Sequence, residues 1–219
     1  MTGNAFTNTA KHDDGLPGSR SRYGDFVAVD DNGDFTYYPS EAAVLDDFEY
    51  VAEAASIFDR AGNDYRLTLE DGRTLRIGAP LGRVEFTWLR EAWMNDRHRE
   101  TRHHRLLRFY PKVLEPLVAG IFETLCLELA GEDTQAIQQT QVPWTVETNG
   151  HVSHLKTLTD VDGLVGSLGE PRKATVRDPF GHLYRPAPRP RRLLRRHGGR
   201  AIYYVEIEQQ PQGPAATKP

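Results

Sequence analysis

VEFTWLREAWMNDRHRETRHHRLLRFY, residues 84–110, contains no glycine or proline, and Pro111 closes it. Phe86, Leu89 and Trp93 recur there at helical spacing. At about 100° per residue, one helix over 84–110 places them on one side with Ala92, Leu106, Leu107 and Tyr110. Arg90, Arg97, Thr101, His104, Arg105 and Arg108 collect on the opposite side. Asp96, Glu100 and His103 fall on the apolar side, between Trp93 and Leu106. Ionisable groups on a core-facing stripe are costly unless paired. Two arrangements meet that cost. Either the helix breaks near Asn95 and the polar run is a solvated connection, or the three groups pair or floor a cleft. In the second case, for an enzyme, His103 is the acid/base residue, Glu100 its orienting partner or a second acid, and Asp96 completes the catalytic set; for a binding protein the same trio is structural and holds the central helix to an arginine elsewhere. Trp93, Arg97 and His104 are then the ligand-binding neighbours.

A second helix follows. Val113, Leu114, Leu117, Val118, Ile121, Phe122, Leu125 and Leu129 form its apolar face, Pro116 suits a first turn, and Gly131 stops it. Lys112, Glu115, Glu123 and Glu128 interrupt the apolar run, so it reads as a buried amphipathic helix and not a membrane span. Residues 80–131 are therefore expected to be a central helical segment.

A β-rich unit is expected on each side of it. In the first, residues 23–79, two short β-type runs meet at Asn32-Gly33, the signature of a two-residue type I′ hairpin. Ser40 is a candidate N-cap for a helix over 41–61, with an apolar face through Val44, Leu45, Phe48, Val51 and Phe58. Asp46, Asp47, Glu49, Glu53 and Asp59 make the rest of that stretch acidic. Gly62-Asn63 closes it, and a hairpin through Tyr65, Leu67, Leu69, Leu75 and Ile77 turns at Asp71-Gly72. In the second unit, residues 142–208, a strand at 144–148 turns at Asn149-Gly150 and returns over 152–157. Thr159 is read as the N-cap of a helix carrying Val161, Leu164, Val165 and Leu168. Two strands around Asp178-Pro179-Phe180-Gly181 and a last strand over 201–208 complete it. The expected fold is α+β: two β-β-α-β-β units flanking a central helical pair. The repeated order is either an internal duplication or a common local arrangement. Residues 1–22 and 209–219 are poor in apolar content and read as disordered tails.

The 219 residues carry 27 Lys and Arg against 31 Asp and Glu, a net charge of -4. So mild a charge draws the chain neither to nucleic acid nor to anionic lipid as a whole. The single Cys126 allows no internal disulfide, which fits a reducing cytoplasm. One local exception is basic: Arg189, Arg191, Arg192, Arg195, Arg196 and Arg200 lie between the last two expected strands. Arg191, Arg192, Arg195 and Arg196 are candidate phosphate or nucleic-acid contacts, but no aromatic residue interleaves them to stack bases. His151 and His154 are expected at exposed strand positions.

Motifs for nucleotide-binding loops, zinc proteases, serine hydrolases and paired cysteines are absent from the sequence. Glu100-x-x-His103, flanked by Asp96, His98 and His104, comes nearest to a metal motif and lacks matching ligands on the second helix. Neither metal nor cofactor is expected. The reading is a non-catalytic cytoplasmic protein that binds another macromolecule, most simply another protein, as an antidote or an adaptor does. A small-ligand-binding protein or enzyme, with its cleft between the two β-rich units near Trp93, Glu100 and His103, is the second reading. Nucleic-acid binding through the arginine loop is the third, and no membrane association is expected.

Overall fold

Strand β1 (Phe26–Asp30) reads FVAVD, and its first four residues are all buried. A strand without alternation must be covered on both faces, and β1 is. It pairs antiparallel with β2 (Phe35–Tyr38) on one side and β3 (Ala54–Asp59) on the other. Between them lie α1 (Glu41–Asp47), capped by the Ser40 side chain, and a single 3-10 turn at Val51–Glu53. β4 (Asn63–Tyr65) and β7 (Gly82–Arg83) extend the sheet to the order β2-β1-β3-β4-β7. β5 (Leu67–Glu70) and β6 (Thr74–Ile77) form a separate two-stranded hairpin. The described residues of this computed structural model are 24–99, 104–129, 142–188 and 202–207.

Val27, Val29 and Phe58 face α2 (Phe86–Arg99) and α3 (Leu114–Leu129), where they meet Leu89, Trp93, Leu117, Ile121 and Phe122. Phe35 packs edge-on against Trp93, with ring centroids 5.0 Å apart. The other face of the sheet, through Phe26, Ala28, Ile57 and Tyr65, is covered by Val44 of α1 and Leu67 of β5. Between α2 and α3 runs the short strand β8 (Leu106–Leu107).

The second sheet joins β9 (Trp144–Thr148), β10 (His151–Leu155), β11 (Thr175–Arg177), β12 (Leu183–Pro188) and β13 (Ile202–Glu206) to β8, in the order β10-β9-β11-β12-β13-β8. Only the β13–β8 pairing is parallel. α4 (Leu158–Ser167) covers it with Leu158, Val161 and Val165 against Trp144, Val146 and Tyr204. Leu127 of α3 enters this second core while Leu117 to Leu125 of the same helix serve the first. The α+β class stands, and the order β2-β1-β3-β4 matches β10-β9-β11-β12, with a helix after the first hairpin of each unit.

Several expected elements differ. The helix expected over 41–61 ends at Asp47, and 54–59 is a central strand. Adjacent Ile57 and Phe58 are both fully buried; a strand sends neighbours to opposite faces, and here both faces are covered. The expected hairpin over 67–77 forms as β5–β6 and turns at Asp71-Gly72, although its Leu69 is exposed, but the second hairpin of the first unit's sheet is β3–β4. The single helix expected over 84–110 is α2, which continues through Asn95 to Arg99. Leu106 and Leu107 belong to β8, where Leu106 is buried and Leu107 points outward. The helical spacing that seemed to unite them with Trp93 is coincidental. The cap of α4 is Thr157 with Asp160 in a reciprocal capping box, two residues before the expected Thr159.

Turn chemistry explains another difference. Asn149 and Gly150 both have positive φ (49° and 80°) and close the expected two-residue turn between Thr148 and His151. At Asn32-Gly33 only Gly33 has positive φ, 81°. There Asp30 takes over: its Oδ1 accepts the Asn32 and Asp34 N–H groups at 2.9 and 2.8 Å, and Gly33 N–H donates to its carbonyl. The same Asp-x-x-Gly construction closes β3–β4 at Asp59-Gly62 and β11–β12 at Asp178-Gly181. In both, the aspartate Oδ2 also accepts the hydroxyl of the tyrosine six residues on, Tyr65 at 2.9 Å and Tyr184 at 2.8 Å.

Candidate functional site

The second half of α2 carries the polar cluster that the sequence singles out. Trp93, Asp96 and Arg97 are buried, the last two only 4% exposed. Arg97 was expected on the outer, polar side. Instead its two Nη atoms each donate to Glu128 of α3 at 2.8 Å, and its guanidinium lies 4.5 Å above the Trp93 ring. Glu128 also accepts the Arg105 N–H at 3.2 Å. His104 joins through Nδ1, which touches Arg97 and lies 3.4 Å from Glu128. Its Nε2 stands 3.6 Å from Asp96 Oδ2, beyond a good hydrogen bond, and neither atom has a hydrogen-bond partner among the described residues.

Burial pushes Asp96 up to about 6, although His104 and Arg97 pull the other way. Burial also raises Glu128, but the His104 hydrogen bond and the Arg97 charge outweigh it and hold the carboxyl below its ordinary value. Asp96 thus faces inward as expected. Glu100 and His103 lie outside the described residues. Glu128 was missed because its neighbours are apolar: a carboxylate in a hydrophobic helix stretch is the signal that it needs a cation from elsewhere.

A second network sits where the helical pair meets the second unit. Arg108 Nη2 donates to Glu123 Oε2 at 2.6 Å and touches His182, whose Nε2 is 3.2 Å from the same oxygen. His182 Nδ1 lies 2.6 Å from Glu206 Oε1. Hydrogen bonds to Glu123 and Glu206 push His182 up to about 9, so it is cationic at neutral pH. Sequence reading left all four residues unassigned, because they come from the segment after β8, from α3 and from one end of the antiparallel β12–β13 pair, where the start of β12 lies beside the end of β13. Between this network and Trp93 opens a cavity of about 320 Å³. Residues of α2, α3, β8 and the stretch after it line the cavity together with His182 and Glu206. The cleft was expected between the two β-rich units; the wall opposite the second unit is instead the helical pair.

The third feature is an acidic cleft of about 480 Å³ on the first unit, walled by Asp30, Asp31, Asp47, Glu49 and Glu53 beside Tyr38 and Phe48. The chain turns abruptly from α1 through the 3-10 turn into β3, and that bend sets the carboxylates of 47–53 opposite those of the β1–β2 turn. Glu53 is held by the Glu49 and Tyr50 N–H groups at 2.8 and 3.1 Å, and Asp47 by the Tyr38 hydroxyl. None of the five carboxylates forms an ion pair with Lys, Arg or His among the described residues.

The remaining candidates are quickly placed. His151 and His154 are exposed on β10. The Cys126 thiol is partly buried beside Arg60, and burial raises it, so it is not an activated nucleophile. Arg191, Arg192, Arg195 and Arg196 lie outside the described residues. Among the described residues no group of three or more His, Cys, Asp or Glu is placed to hold a metal ion, and no helix is long and apolar enough to cross a membrane. Comparison with protein-family models, with curated proteins and with solved structures finds no match for the chain.

Proposed function

We propose that this chain is a non-catalytic binding protein whose partner is another protein with a basic surface, in the manner of a cytoplasmic antidote or adaptor. The acidic cleft carries the reading. Five carboxylates converge on one concavity with no internal counter-charge among the described residues, and such a field steers and holds a cationic partner. The other polar groups serve pairings within the fold. His182 is locked between two carboxylates as a cation. Asp96 is buried and lines neither cavity.

The test is quantitative affinity capture from the source cell with the unmodified chain and with Asp31→Lys/Glu49→Lys, both at exposed positions. A basic protein should be enriched by the first, lost with the second, and released as salt rises because exposed charges are screened. Recovery of the same proteins with both chains, or of acidic partners only, overturns the reading.

A further inference from the structure

We propose that the cavity between the helical pair and the second unit is a binding site for a neutral, mainly apolar molecule of about two fused rings. The inference does not depend on the acidic cleft.

Size comes first. An apolar cavity of roughly 150 Å³ holds one benzene ring, so the observed 320 Å³ admits a two-ring molecule. The wall is the face such a molecule needs. Trp93, Leu106, Tyr110, Pro111 and Leu117 line it, and Phe109, 55% exposed, stands at its rim. Apolar walls with a few placed polar groups are the usual form of a small-molecule site.

Charge narrows the class. Every charged group in the wall already has an opposite partner: Arg97 with Glu128, Arg108 with Glu123, His182 with Glu123 and Glu206. An ionic ligand entering here would have to break one of those pairs or lie unpaired in an apolar pocket. A neutral ligand meets no such cost. One polar handle remains. Tyr110 lines the cavity, and its hydroxyl has no hydrogen-bond partner among the described residues. Burial raises its pKa above the ordinary value, so at neutral pH it is a hydroxyl donor.

Gly120 adds an independent observation. It lies in the interior of α3 and lines the cavity. Its φ is not positive, and a Cβ built there would meet nothing within 4 Å. Glycine weakens a helix interior relative to alanine. Neither backbone conformation nor close packing among the described residues calls for it. What its missing side chain preserves is open volume at the cavity wall that Trp93 and Tyr110 also line.

The probe is 2-naphthol, with naphthalene-2-carboxylate as an anionic match in shape, followed by calorimetry and protein-detected NMR on the full chain. We expect saturable one-to-one binding of 2-naphthol, with the carboxylate weaker by about ten-fold or more. Gly120→Leu should fold with an unchanged or higher Tm and lose binding by about ten-fold or more. Tyr110→Phe should weaken it by roughly three- to ten-fold. Should Gly120→Leu fail to fold, Gly120→Ala, a smaller intrusion, should still reduce affinity severalfold. Absence of saturable 2-naphthol binding up to about 1 mM, equal affinity for the carboxylate, or affinity unmoved by the Gly120 and Tyr110 variants would each overturn the proposal.

Discussion

Replacing Arg97 by methionine should be among the most damaging single changes on α2. The guanidinium is almost fully enclosed and gives Glu128 two charge-assisted hydrogen bonds at 2.8 Å. Methionine keeps much of the side-chain volume over Trp93 but supplies no donor. Glu128 would be left with the Arg105 N–H and His104 in a site from which water is largely excluded. Removing one partner of a buried ion pair costs about 3–5 kcal/mol. The stacking on Trp93 adds about 1 kcal/mol, while His104 offsets part of the loss by holding the orphaned carboxylate. The expected net loss is therefore about 3–4 kcal/mol. For a chain of this size each kcal/mol shifts Tm by roughly 2–4 °C, so a fall of about 6–16 °C should follow. Arg97→Met/Glu128→Leu should recover about half of the loss, because the apolar pair leaves no stranded charge. Only the unmet Arg105 N–H and His104 nitrogen remain uncompensated. The assay is denaturant unfolding of the parent, both single variants and the double variant, followed by circular dichroism. A loss under about 1 kcal/mol for Arg97→Met, or single effects that simply add in the double variant, would refute the account of the pair as a coupled buried unit.

Stability should also depend on pH through His182. Its pKa is raised from an ordinary 6.5 to about 9, so the stabilisation is complete below about pH 6.5 and is lost as pH rises through 9. At this half-buried site solvent screening leaves about 1–2 kcal/mol of the effect. The denaturation midpoint of the parent should fall between pH 7 and 10 relative to that of His182→Gln, and parallel profiles would count against it. The charged groups facing His182 are Glu123, Glu206, Arg108 and Asp178, and of these the two glutamates dominate. The Asp-x-x-Gly turns give a ranking. Asp59→Ala and Asp178→Ala each strand a tyrosine hydroxyl as well as turn N–H groups, and should cost about 2–4 kcal/mol. Asp30→Ala, whose hydrogen bonds go only to backbone at the surface, should cost about 1 kcal/mol. Unfolding midpoints that place Asp30→Ala as the costliest of the three would contradict this reading.

An origin of the two units by duplication is a proposal that two features support. They share the order β2-β1-β3-β4 and β10-β9-β11-β12, and the hairpins at corresponding places share the spacing Asp-x-x-Gly-x-x-Tyr, 59–65 and 178–184. That spacing was open to inspection in the sequence. It was obscured because alanines at 52, 54 and 55 made the approach to Asp59 resemble a helix.

What the sequence by itself determined is local. Asn149-Gly150 specified a hairpin turn because positive φ at both positions is cheap for those two residues. Ser40 specified a helix start, and residues 113–129 an apolar helix broad enough to serve two cores. Tertiary structure decided the rest. Ile57 and Phe58 became a central strand because covered surfaces were waiting on both sides of β1, and burial of two adjacent apolar side chains outweighs helical preference. Arg97 turned inward because Glu128, 31 residues away along the chain, offers a carboxylate that satisfies both of its Nη donors. The junction cavity draws on residues up to 113 positions apart (93 to 206), and its Arg108–Glu123–His182–Glu206 wall on residues up to 98 apart (108 to 206). Local periodicity does not record such distances; they are set when the two sheets close on α3, where burial and charge pairing select one arrangement.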